Sequence, residues 1–315
     1  MPMKLNTLSY ALILFVVAGC LVPSVQAQES KEIPKPEVMS VETKDGVSIK
    51  CTYFGSNKGK NAVPIILLHG WEGKRANMVG LAKKIQESGH AVIIPDLRGH
   101  GDSKSVTLPN GQVKEIKLDR IRAANFATYV TQDMEAVKRF LMTENNAGKL
   151  NIEMLTIIGC DFSTIVAVNW AVQDWSWPVL SGLKQGQDVK ALVLVSPDPS
   201  FKGFSYAKAL QTPAMSSFLS IMVIVGRGEA RTYSDAKKLE LMVTKKRMTK
   251  FEDAAESRDK KDFFRIDKPT SLNGERLLIE PQADCLKDIL YFVNARLVSK
   301  QGDFSWKNRA SPLGK

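Results

Sequence analysis

The sequence predicts an α/β domain, a mostly parallel sheet with helices on both faces. Two patterns carry that expectation. Short apolar runs rich in β-branched residues recur along the chain, and longer segments with apolar residues at helical spacing lie between them. The third observation is size and composition: 315 residues, 44% hydrophobic and 24% charged, with 21 Gly and 14 Pro. That excludes a disordered, collagen-like or coiled-coil chain and allows one large core.

The elements follow in order. Residues 28–37 are polar and contain Pro34 and Pro36, a linker ahead of a domain over 38–298. After the Asp45-Gly46 turn, Val47–Phe54 alternates as a strand does. Ile65–Leu68 and Ala91–Ile94 are continuous apolar runs, expected of strands buried on both faces; Met154–Ile158, Ala191–Val195 and Ile221–Val225 repeat the pattern. Between them, Asn77–Ser88 places Met78, Leu81, Ala82 and Ile85 on one helical face, and Gly89 stops it. Ala123–Met142 is the longest helical pattern, with Phe126, Val130, Met134, Val137 and Leu141 on one side. Thr164–Val172 and Cys285–Val298 complete the helices, and residues 299–315 read as a loose, polar, basic extension.

The first 27 residues read as a secretory leader. Lys4 supplies the positive start, Leu8–Ala18 the apolar run, and Val25-Gln26-Ala27 the small residues of a cleavage site. A second route competes: Val17-Ala18-Gly19-Cys20 is similar to a bacterial lipobox, which would make Cys20 a lipidated N-terminus at a membrane. Both routes predict export, to the periplasm, the exterior or the envelope surface. With four Cys no disulfide framework is expected, and Cys51, Cys160 and Cys285 read as small core residues.

The 44 Lys and Arg outnumber 33 Asp and Glu, a formal +11. The excess is scattered: residues 227–268 hold 13 basic but also 9 acidic residues, a mixed, solvated face. No basic stripe interleaved with aromatics occurs, so no nucleic-acid partner is expected. Phosphate loops, zinc spacings and dinucleotide fingerprints are also missing, so no cofactor is expected. Trp175 and Trp177 are a candidate partner or carbohydrate contact, although covering the sheet end is the favoured role.

Three loops at strand ends go further. His69-Gly70-Trp71 follows one strand, Asp96-Leu97-Arg98-Gly99-His100-Gly101-Asp102-Ser103 the next, and Gly159-Cys160-Asp161-Phe162-Ser163 joins a strand to a helix. Together they resemble the α/β-hydrolase family, with its oxyanion loop, its Gly-His-Gly loop and its nucleophile elbow. Asp133 and Ser196-Pro197 also stand where relatives have them. The resemblance covers about residues 45–298. It implies a central sheet of about eight strands, and the 24 residues between Ser196 and Ile221 leave no room for a large cap domain.

The family mechanism needs a nucleophile, an acid and a late His that takes the nucleophile's proton. The resemblance puts Asp161 at the nucleophile position, Glu229 at the acid position and Asn273 at the His position. The only three His are at 69, 90 and 100, so the general base is missing. Relatives with an elbow Asp, the haloalkane dehalogenases and epoxide hydrolases, still need that His. The favoured expectation is therefore a non-catalytic member with a binding or structural role, its ligand an unidentified small molecule or envelope partner. The alternative is a hydrolase of small esters, amides or haloalkane-type substrates, with Asp161 replacing Ser and backbone donors near Trp71 and Phe162 as oxyanion hole.

Asp161 also has a structural reading, because an elbow holds its central residue at positive φ, which Asp tolerates. Asp161, Glu229 and Asn273 should converge as three oxygen donors, and close carboxylates should draw a proton near neutral pH or a cation. A hard cation wants six or more ligands, so no metal is assigned. His69, Gly70, Asp96, Gly99, His100, Gly101, Gly159 and Ser163 read as structural parts of the three loops. Cys160 should point away from the elbow centre, and Ser103 reads as a cap.

Overall fold

The computed structural model describes residues 32–181, 184–248 and 262–309, so the leader and Cys20 lie outside the described residues. Strands β1 (Glu37–Glu42) and β2 (Ser48–Phe54) form an antiparallel pair at one edge. Strands β3 (Pro64–Leu67) and β4 (Ala91–Pro95) follow, then a small hairpin of β5 (Ser105–Thr107) and β6 (Val113–Glu115). Strands β7 (Leu155–Cys160) and β8 (Val189–Val195) precede a second hairpin, β9 (Ser200–Phe201) and β10 (Phe204–Ser205). Strands β11 (Ser220–Gly226) and β12 (Phe263–Lys268) complete the set. The main sheet runs β1-β2-β4-β3-β7-β8-β11-β12, parallel from β4 to β12.

Alternation explains the layers. Ile65 and Leu67 join one apolar cluster while Ile66 and Leu68 join the other, because successive strand side chains point to opposite faces. Helices α1 (Arg75–Glu87), α6 (Gly274–Ile279) and α7 (Cys285–Arg296) cover the first face with Met78, Leu277 and Phe292. Helices α2 (Ala123–Thr128), α3 (Glu135–Asn146), α4 (Ser163–Ser176) and α5 (Ala230–Met248) cover the second with Phe126, Leu141, Trp170 and Leu239. Cys51, Cys160 and Cys285 are unpaired and buried in these layers.

Four expectations are revised. The helical pattern over 123–142 reaches Asn146 and is interrupted by a π-helical segment, Tyr129–Met134, where buried Asp133 accepts from the N–H and Nε of Arg98. Much of the 227–268 stretch is not merely solvated: Ala236, Leu239 and Val243 of α5 are buried, and β12 adds a parallel edge strand. The linker ends one residue early, since Glu37 already pairs with Tyr53. Beyond α7 the described residues are not loose, because residues 304–309 are hydrogen-bonded to the body.

Candidate functional site

Strands β3 and β7 are neighbours, and from them the sheet order runs outward in opposite directions. Open α/β sheets bind ligands outside the carboxyl ends of their strands at such a switch point. His69-Gly70-Trp71 leaves β3 there, and Asp161 leaves β7.

The β7–α4 turn has elbow geometry. Asp161 sits at φ 50°, and its N–H donates to Val195 O at 3.1 Å. A Cβ on Gly159 would stand 2.9 Å from Ser163 O, so the turn demands a small residue there. Ser163 closes the turn, accepting from Cys160 N–H at 2.9 Å and donating to Cys160 O at 2.8 Å. Cys160 is buried, where burial raises its thiol well above the usual range.

The Asp161 carboxylate points at the start of α6. It accepts the Glu275 N–H at 3.3 Å, and a Cβ on Gly274 would lie 2.1 Å from both carboxylate oxygens. Gly274 has φ 55°, a second reason for glycine there. Its N–H donates to Ser196 Oγ at 2.8 Å, and Ser196 itself is left-handed at φ 49°. Asn273 is the N-cap residue of α6 and makes no side-chain cap bond. Asp161 thus supplies a cap from a different loop, satisfying one of the orphan donors of the first turn.

The three residues expected to converge, Asp161, Glu229 and Asn273, do line one cleft of about 250 Å³, with Ser196, Asp198, Arg231 and Asp235. Arg231 reaches Asp235 at 4.0 Å and is otherwise mostly exposed. No group of three or more His, Cys, Asp or Glu suited to a metal ion occurs among the described residues.

Sequence reasoning missed Glu275. Its Oε2 accepts the Gly70 N–H at 3.1 Å, and its Oε1 accepts from Asn77 at 2.5 Å, so a carboxylate rests on the loop after β3. Burial pushes the Asp161 carboxyl from its ordinary 3.8 up to about 6; the Glu275 N–H opposes this, and the Glu275 and Asp198 carboxylates add to it. The expected crowding of carboxylates is present, but Glu275 rather than Glu229 is the partner. An acidic residue in a helical first turn is the available signal, but α6 has only six residues, too few to show an apolar period.

The residues around Trp71 and Phe162 pack rather than gape. Trp71 lies 5.1 Å from the Phe162 ring, 4.7 Å from Phe201 and 5.0 Å from His100, with Lys202 Nζ 4.3 Å above its ring centre. Phe126, Tyr129 and Phe204 extend the cluster, which also needs the unforeseen β9–β10 hairpin. The Phe162 N–H has no backbone acceptor among the described residues.

The remaining loop residues bond to one another and to α1. His69 Nδ1 donates to Gly70 O at 2.8 Å, and Nε2 accepts Leu97 N–H at 3.1 Å. Asp96 accepts the N–H of Arg75 and of Asp102 and pairs with the Arg75 guanidinium, tying α1 to the loop of Gly99, His100 and Gly101. Burial lowers His69 below its ordinary value, His100 to about 3 and His90 to about 4. None is hydrogen-bonded to Asp161 among the described residues. Trp175 donates to Val189 O at 2.7 Å and stacks on Phe218 at 4.7 Å, with Lys190 over its ring, which fits a covering role.

The alpha/beta hydrolase fold family model matches residues 63–225, more than half of the chain. No curated protein matches the sequence. Among solved structures, the chain is similar to a fungal esterase from Rhizomucor miehei, with TM-score 0.57, 11% identity and 86% of each chain covered. A dienelactone hydrolase from Anabaena variabilis gives TM-score 0.54 at 13% identity, over 87% of this chain and 97% of that one. An esterase of Pyrococcus furiosus gives 0.53 at 14% identity, over 82% and 90%. At these identities the structures speak for the fold alone. The sheet order, the elbow and the family match agree, and the chain belongs to the α/β-hydrolase fold family.

Proposed function

We propose that this protein is an exported α/β-hydrolase-fold member without hydrolytic turnover, whose cleft serves binding of a small molecule or an envelope partner. One observation carries the reading: the residue at the nucleophile position, Asp161, caps α6 in a cleft without an imidazole, while Glu275 takes the Gly70 N–H. A general base contributes roughly 10²–10⁴-fold to such reactions. Any ester formed on Asp161 would therefore lack the group that activates water to release it. The leader supports export, with lipidation at Cys20 as the alternative route to the envelope.

The test is turnover of short-chain p-nitrophenyl esters and haloalkanes by purified residues 28–315, with Asp161→Ala beside it. Equal inertness of both proteins is expected. Repeated turnover that Asp161→Ala abolishes would overturn the proposal in favour of a second reading, hydrolysis through Asp161. That alternative draws on the raised Asp161 carboxyl and on the Phe162 N–H.

A further inference from the structure

After α7, a 3-10 segment (Val298–Asp303) leads into an extended arm, residues 304–309, that crosses the C-terminal end of α3. Its backbone is gripped by side-chain amides. Asn151 donates to Phe304 O at 2.8 Å, and Asn145 to Lys307 O at 2.8 Å. Asn146 pairs twice with Arg309, accepting its N–H at 2.8 Å and donating to its carbonyl at 2.9 Å. Trp306 donates to Asn145 O at 3.2 Å, and Lys60 Nζ lies 3.7 Å above its ring.

The Arg309 side chain ends in a slot wholly shielded from solvent. Nη1 meets Glu153 Oε1 at 3.0 Å and also Asp188, Nε donates to Lys184 O at 3.1 Å, and Nη2 to Gly186 O at 3.4 Å. Two carboxylates and two carbonyls thus face one planar fork, a set that a single-point ammonium cannot satisfy. The ion-paired groups around the slot match one for one with Arg309 in place. Asp174, Asp188 and Glu153 stand against Lys138, Lys184 and Arg309.

We propose that this slot is a guanidinium-recognition site whose ligand in cis is the chain's own C-terminal arm, so that the arm works as a latch and an emptied slot takes a free guanidinium cation. The ligand class follows from the donor count and planarity. Buried Asp188 also receives Lys138, and its own N–H donates to Asp174, so the latch bears on the loop that leads into β8. Neither the elbow nor the cleft takes part, and the inference stands apart from the question of turnover.

The experiment is thermal unfolding of the mature chain and of Arg309→Ala, each with ethylguanidinium or ethylammonium at matched ionic strength. The variant's Tm is expected to fall by roughly 10 °C. Ethylguanidinium should then raise it saturably and ethylammonium should not, while neither changes the wild type. Arg309→Lys, which keeps the charge without the fork, should also lose stability. A variant as stable as wild type would overturn the proposal, as would equal responses to the two cations. If Arg309→Ala does not fold, refolding yield is scored instead. Recovery with ethylguanidinium alone supports the slot; no recovery, or equal recovery with both, overturns it.

Discussion

Replacing Asp161 by Asn should stabilise the protein at neutral pH and leave it unchanged in acid. The carboxyl titrates near 3.8 in an unfolded chain and at about 6 in the folded one, so the native state binds the extra proton between those values. Stability is then highest below pH 3.8 and falls as pH rises through the window, levelling above about 6. Each pH unit between the two values is worth about 1.4 kcal/mol, which sets the cost of the ionised carboxylate at about 3 kcal/mol. That is an upper figure, because the cleft admits water. Asn keeps an oxygen for the Glu275 N–H and removes the charge that faces Glu275 and Asp198. Urea unfolding of both proteins from pH 4 to 8 isolates the effect, since other groups cancel in the difference. The gap should open with rising pH and reach at most about 3 kcal/mol by pH 7. Parallel curves, or a variant less stable at pH 7, would refute the burial and repulsion argument.

Other expectations follow from the same contacts. Glu275→Gln removes one carboxylate beside Asp161, so NMR titration should find the Asp161 carboxyl titrating below about 6; an unmoved value would deny their coupling. Gly274→Ala sets a Cβ 2.1 Å from the Asp161 oxygens at a positive φ, costing about 3 kcal/mol in urea unfolding. Combining it with Asp161→Ala should recover the steric part and leave roughly 1 kcal/mol, and strict additivity would contradict the contact. Ser163→Ala strips the elbow of its bonds to the Cys160 N–H and carbonyl and should cost about 1–3 kcal/mol, whereas unchanged unfolding would show the hydroxyl to be idle.

Much of this molecule is written in local pattern. The buried strands β3, β4, β7, β8 and β11 are visible as apolar runs because both their faces are covered, and the loops that follow them carry the elbow and the Gly-His-Gly turn. The absence of a late His is likewise a property of composition. β1 escaped because an edge strand exposes one side and reads as polar, and α5 because its long charged face dilutes its apolar stripe. Glu275 lies 205 residues from the Gly70 N–H that it accepts and 114 from Asp161, and Arg309 lies 121 from Asp188. No periodicity encodes such partners, because they are chosen by which loops the sheet order brings side by side. Sequence alone determined the family, the strand-end loops and the confinement of His to positions 69, 90 and 100. Only tertiary structure decided that Asp161 caps a helix, that Glu275 rests on the loop after β3 and that residues 304–309 are held by a buried arginine. Hydrogen-bond and charge satisfaction in a closed interior depends on proximity in space, not along the chain.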